Sequence, residues 1–160
     1  MPHTHQRYLN KATIDIIRMV YRDELFDDQL PISFSPLIDN YGLMAGQFLP
    51  SEQSSYTCHP SRIFNAISSG ILLNQLCFVY LLESNIIDPS EGRGSTGRLL
   101  LTNISIDCRG VINHRSERDY LFTINTCRKG KRETGEVELS LSKGRFLVRS
   151  SIIIADRNLH

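Results

Sequence analysis

This 160-residue chain has almost no excess charge of either sign: 18 Lys and Arg face 17 Asp and Glu, a formal net charge of +1. No global field then favours nucleic acid or an anionic membrane, so neither partner is expected and specificity has to come from a local site. A metal framework is missing as well. The four cysteines, Cys58, Cys77, Cys108 and Cys127, make no CxxC pair and no Cys/His cluster of zinc spacing, so no metal and no cofactor is expected. Residues 1–5 lack the basic and then apolar regions of a secretory signal. A membrane span is also lacking, because the most apolar stretch, residues 63–82, is interrupted by Asn65, Ser68, Ser69, Asn74 and Gln75 and reads as protein interior. The expectation is a cytoplasmic chain with reduced thiols. Internal repeats and low-complexity tracts are absent, and the length suits one domain able to bury a core unaided.

The stretch from Ile63 to Leu82 is what the chain does have. Read as a helix it is apolar on every side, which places it inside the protein with the remainder around it. Ser61 is the expected cap, with the helix running to about Glu83. The amides of Asn65 and Asn74 lie within this run, and an unpaired buried amide costs about 1–3 kcal/mol, so each needs a partner in the protein or in a ligand.

Around this core, Ile14, Ile17, Val20, Tyr21 and Leu25 repeat at the spacing of a surface helix over residues 10–25, with Asn10 or Thr13 available as its cap. Pro31 and Pro36 then interrupt any helix. Asp39–Gly42 reads as a turn into a strand at 43–49, and 88–97 is a Pro-, Ser- and Gly-containing loop. Segments 99–109, 119–127, 133–141 and 145–155 are rich in Ile, Val, Leu, Thr or Phe and read as strands. Turns at 129–131 and 142–144 make the last three an antiparallel meander. Glu136–Leu141 alternates polar and apolar, as a sheet with one solvated face requires. The order is helix, strand, long buried helix, four strands: a single α+β domain over 1–160, residues 1–40 being an N-terminal helix and connecting segment.

Several short motifs add a family likeness. Phe64-Asn65-Ala66 followed nine residues later by Asn74-Gln75-Leu76, together with Gly46-Gln47-Phe48, the 52–56 segment ending in Tyr56, Thr102–Arg109 and Gly135–Leu139, resembles the FcoT-like thioesterase family over roughly residues 41–141. The resemblance implies a hotdog fold, an antiparallel curved sheet wrapped around a long central helix, assembled as a homodimer or higher homo-oligomer. It also implies chemistry on a fatty acyl chain held as a thioester to coenzyme A or an acyl carrier protein. That chemistry is hydrolysis, or addition of glycine to a (2E)-enoyl thioester; a non-catalytic acyl-binding or carrier-docking module and a hotdog dehydratase stay open as alternatives. Two positions depart from the family pattern, which has His before the Phe-Asn and Glu three residues after that Asn, where this chain has Ile63 and Ser68.

Either reaction develops negative charge on the thioester oxygen and so needs fixed hydrogen-bond donors there. Carried over by resemblance, Tyr56 and Asn65 are the candidate donors at the start of the long helix, where helix N–H groups also face a developing anion, and Asn74 lies further along it. Nine residues is two and a half turns, so Asn65 and Asn74 share a side only if Asn65 precedes the helix proper. His59 is a candidate general base, having an unperturbed pKa of about 6.5. Tyr21, Ser68, Ser69 and Arg109 are candidates for contact with the acyl chain or the anionic carrier; Arg suits phosphate because it can bind bidentately. With no His and acid near them in sequence, Ser68 and Ser69 do not form a nucleophilic triad.

Overall fold

Strands form where β-branched and aromatic residues alternate with polar ones, and among the described residues every strand pair is antiparallel. The computed structural model describes residues 7–20, 31–38, 40–48, 63–88, 99–113, 116–129 and 132–155. In chain order the elements are β1 (Arg7–Tyr8), α1 (Lys11–Arg18), β2 (Pro31–Ile38), β3 (Tyr41–Gln47), β4 (Ile63–Phe64), α2 (Ala66–Glu83), β5 (Leu99–Cys108), β6 (Ile112–Asn113), β7 (Asp119–Lys129), β8 (Arg132–Leu141) and β9 (Phe146–Ala155). Seven strands form one sheet in the order β1-β2-β3-β7-β8-β9-β5, and β4 pairs with β6 in a separate two-stranded ribbon.

One face of the sheet is apolar because its inward positions are. Val137, Leu139 and Leu141 are buried while Glu136, Glu138 and Ser140 alternate with them; Tyr120, Phe122 and Ile124 on β7 and Phe146, Val148 and Ile152 on β9 continue the same face. Against it lies α2, in which every residue from Leu72 to Leu82 except Asn74 is buried. This helix is long and apolar enough by composition to cross a membrane, and here it is the core helix of the sheet. Tyr80 on α2 reaches β2, donating to the Ser35 carbonyl at 3.3 Å, while Gly70 sits opposite Ile106 of β5. In a flat sheet β2 and β5 would stand about 24 Å apart at the usual strand spacing, twice the width of a helix at about 10–12 Å. The sheet therefore curls around α2.

α1 is held to the far end of α2 by one carboxylate. Glu83, at the C-terminus of α2 where the helix dipole disfavours negative charge, accepts from Asn10 Nδ2 at 2.6 Å and from Thr13 Oγ1 at 2.9 Å. Both donors belong to the N-terminal turn of α1, where the dipole favours an anion.

The elements expected from sequence are present, with shifted boundaries and additions. The helix expected over 10–25 is observed over Lys11–Arg18, capped by Asn10 rather than Thr13; Val20 lies beyond it, exposed, and Tyr21 and Leu25 lie outside the described residues. Pro31 and Pro36, read as interruptions, belong to β2. Pro31 opens the strand, and the register shifts between Ser35 and Ile38, so Pro36 falls on a bulge where a missing N–H breaks no ladder. Tyr41 and Gly42 begin β3 instead of forming a turn, the turn residue being Asn40 with φ 67°. The long helix starts at Ala66, not after Ser61, because Ile63 and Phe64 are taken up in pairing with Asn113 and Ile112. β5 contains a bulge: Thr102 pairs Ser151 and Ser105 pairs Arg149, leaving Asn103 (φ 52°) and Ile104 opposite Ser150 alone. Ser150, fully buried, donates to the Thr102 carbonyl at 2.8 Å, so the extra residue is pinned and both Leu101 and Ile106 can face the helix.

Candidate functional site at the start of the central helix

Phe64 fixes where the central helix begins. Its backbone pairs with Ile112, and its buried ring meets those of Phe48 and Phe146 at centroid distances of 5.1 and 5.8 Å. Phe48 follows β3 and Phe146 opens β9, so the rim of the sheet grips the residue before Asn65. Asn65 is then the N-cap: its backbone is extended (φ −121°, ψ 174°) and its Oδ1 accepts from Ser68 N at 2.9 Å. Because it precedes the first turn, Asn65 escapes the helical spacing that would set it opposite Asn74.

Capping leaves two donors over. The Ser68 N–H goes to Asn65 Oδ1 and the Ser69 N–H to the Asn65 carbonyl at 3.1 Å. The first-turn N–H groups of Ala66 and Ile67 have no partner among the described residues. They stand at the positive end of the helix dipole, and no acidic residue in the first turn opposes it. With Oδ1 committed to the cap, the Asn65 Nδ2 is the part of that side chain able to donate elsewhere. Asn65 is half-buried, so a ligand can reach it.

An apolar surface adjoins these donors. Ile67 is 58% exposed on the first turn, and Ile104 is 49% exposed on β5. The partly buried Ile106 lies between strand and helix, its Cδ1 3.9 Å from where a side chain on Gly70 would begin. Asn74, one turn beyond Gly70 on the same face, is half-buried. The helix start and the end of β5 thus make one region with amide donors at one end and isoleucines alongside.

The other expected site residues divide into three groups. Ser68 is half-buried beside the cap, whereas Ser69 is fully buried and its hydroxyl donates to the Ala66 carbonyl at 2.7 Å, the usual fate of a helix serine. Arg109 lies at the same rim as Asn65, just after β5, with its guanidinium Nε 2.6 Å from Asp107 Oδ2. Tyr21, Tyr56 and His59 lie outside the described residues. The sequence points to helix N–H groups at this place without naming Ala66 and Ile67; Asn65 three residues before Ser68, the spacing of an N-cap, is what identifies them. The buried Cys77 thiol is pushed up in pKa by desolvation, which keeps it protonated and unfit as a nucleophile.

No protein-family model and no curated protein matches this sequence. Solved structures do resemble the fold. A candidate thioesterase from Shewanella oneidensis matches over 92% of this chain and 96% of its own, at 11% identity and a TM-score of 0.51. A hypothetical thioesterase from Streptococcus pneumoniae, in a structure with coenzyme A, matches over 78% of this chain and 86% of its own at 10% identity and a TM-score of 0.47. The Escherichia coli PaaI protein of the phenylacetic acid degradation operon matches over 76% and 81% at 10% identity and a TM-score of 0.44. Identities this low speak to architecture and not to activity. With its antiparallel sheet curled about α2 and its likeness to the Shewanella structure over nearly the whole of both chains, this chain has the α+β hotdog fold.

Proposed function

We propose that this chain is a cytoplasmic enzyme that hydrolyses fatty acyl thioesters of coenzyme A or an acyl carrier protein, working as a homodimer. One observation carries the reading: the N–H groups of Ala66 and Ile67, without a partner among the described residues, stand next to the capping Asn65 at a helix N-terminus that has no acidic residue in its first turn and an apolar surface beside it. A thioester carbonyl placed there gains donors that strengthen as its oxygen becomes an anion, while the acyl tail lies along Ile67, Ile104 and Ile106. The attacking water adds to the carbonyl carbon, the tetrahedral anion collapses, and the thiol leaves as the acid forms. Tyr56 and His59 enter by sequence position alone, as a second donor and as the base that takes the proton from water.

The dimer follows from the sheet edge. Among the described residues β5 has a strand neighbour only on its β9 side, and it exposes Leu100 (57%) and Ile104 (49%). A long apolar edge strand is a template for pairing, and a second copy in antiparallel register would cover it and wall the acyl surface. Light scattering is expected to give twice the chain mass of 18.3 kDa, and Ile104→Lys to return the monomer. A natural chain that is monomeric at micromolar concentration would remove the shared-site arrangement.

Hydrolysis is preferred to glycine addition because the latter requires glycine to be held and its ammonium deprotonated. Ile63 and Ser68 stand where a His and a Glu would serve those tasks. Saturated and 2-enoyl thioesters incubated with and without glycine, followed by mass spectrometry, are expected to yield free acid in both cases. A 3-(carboxymethylamino)acyl product would overturn the preference. Tight acyl-CoA binding without turnover would favour a non-catalytic acyl-binding module.

A further inference from the structure

Beside the helix start stands a cation that the proposed hydrolysis leaves without a task. Arg145, in the turn between β8 and β9, is exposed, and its Nη1 donates to the Val111 carbonyl at 2.7 Å. The Arg109 N–H donates to the Arg145 carbonyl at 2.7 Å. A Cβ on the intervening Gly110 would lie 3.4 Å from Arg145 Cγ. The 109–111 segment is therefore folded against the stem of Arg145, which fixes the guanidinium instead of leaving it to wander in solvent.

Its neighbours have their charge answered. Lys143 pairs with Glu117 at 2.8 Å, Arg149 with Glu138 at 2.7 Å and Arg109 with Asp107 at 2.6 Å. Among the described residues no carboxylate pairs with Arg145. Where the Arg109 and Arg145 backbones meet, the described residues thus bring two arginines against one carboxylate, an excess of one positive charge among them.

The position relative to the proposed site is set by one strand pairing and one ring contact. Val111 precedes Ile112, which pairs with Phe64, the residue before Asn65. Phe146, the residue after Arg145, touches the same Phe64 through its ring. A thioester whose carbonyl lies at the Ala66 and Ile67 N–H groups would extend its pantetheine arm from this rim, and the far end of that arm is a phosphate whichever carrier bears it.

Resting on the thioesterase reading, we propose that Arg145, with Arg109 beside it, grips the phosphate at the end of the pantetheine arm. Arg145 is in this account a binding residue that sets affinity for the carrier and takes no part in bond cleavage. A planar guanidinium already anchored by one N–H presents its remaining donors in fixed geometry, the arrangement suited to a phosphate. The Asp107 carboxylate beside Arg109 weakens that arginine's share, which makes Arg145 the stronger contact.

Calorimetric titration with pantetheine, 4′-phosphopantetheine and coenzyme A tests this independently of catalysis. The natural chain is expected to bind both phosphorylated ligands more tightly than pantetheine. Arg145→Gln is expected to weaken them by about tenfold with pantetheine unchanged, and Arg145→Glu by more. Equal loss for 4′-phosphopantetheine and coenzyme A assigns the contact to the phosphate shared with acyl carrier protein; loss confined to coenzyme A assigns it to the nucleotide phosphates and overturns the stated placement. An unchanged affinity ratio between phosphorylated and plain pantetheine in Arg145→Gln also overturns it. Turnover of an acyl-pantetheine thioester by the natural chain reports separately on hydrolysis: its absence would sink the thioesterase reading and leave the titration to judge Arg145.

Discussion

Aspartate at position 65 is expected to leave stability within about 1 kcal/mol of the natural chain while lowering kcat/KM for an acyl thioester by about 10²–10³. The two effects separate because the two ends of the Asn65 amide do different things. Oδ1 caps the helix by accepting from Ser68 N at 2.9 Å, and a carboxylate oxygen performs that task as well or better against the helix dipole. The Nδ2 group is lost, and a negative charge takes its place where the thioester oxygen becomes negative. Asn65→Ala removes both functions and is expected to lose about 1 kcal/mol as well as rate. Thermal unfolding and steady-state kinetics on the same preparations decide the matter. An Asn65→Asp variant with undiminished kcat/KM would make Asn65 a cap only, and one with raised kcat/KM would place the group beside the attacking water instead of the carbonyl oxygen.

Gly42→Ala is expected to produce the largest loss of stability of any single methyl addition to the sheet, on the order of 3 kcal/mol or more, because overpacking of a filled core already costs about 1–3. A Cβ at Gly42 would lie 1.6 Å from Tyr80 Oη, 2.2 Å from its Cζ and 2.8 Å from its Cε2. Tyr80 cannot swing aside: it is fully buried, with its ring against Phe34 at 5.3 Å and Phe122 at 5.9 Å. Deleting the hydroxyl alone would not relieve the clash, since Cζ is itself too near, so Tyr80→Phe is not expected to rescue Gly42→Ala. Tyr80→Leu, which removes the ring, is expected to do so in part, giving a double variant more stable than the sum of the single losses predicts. Urea unfolding of the four chains checks this, and strict additivity would show that the glycine does not matter for the reason given.

What the sequence made legible was periodic. The alternation in 136–141 and the largely apolar stretch of α2 each translate into burial by geometry, and the structure places them as that geometry requires. The elements that were missed depend on partners distant in the chain. β2 contains two prolines and looks like a breaker until β3 pairs with it and its bulge accommodates Pro36. The start of α2 moved from Ser61 to Asn65 because Ile63 and Phe64 find strand partners in Ile112 and Asn113, almost fifty residues on. The β5 bulge needs Ser150 on a neighbouring strand to hold it. At the candidate site Asn65 was visible by motif and helix N–H groups were expected beside it, whereas which N–H groups these are depends on where α2 begins, and that is set by the pairing of Phe64 with Ile112. Arg145 was invisible for a related reason: its place beside Arg109 is set by the β5–β9 pairing, in which Cys108 lies opposite Phe146.

The central claim is that the start of α2 holds the thioester oxygen. Its most direct test is the infrared difference spectrum of a bound acyl-CoA analogue in which methylene replaces sulfur and the carbonyl carbon is labelled with ¹³C. Donors from Ala66, Ile67 and Asn65 would lower the carbonyl stretching frequency below its value in water, and Asn65→Asp would return it part of the way. A bound carbonyl that absorbs at or above its frequency in water, unchanged in Asn65→Asp, would contradict the account.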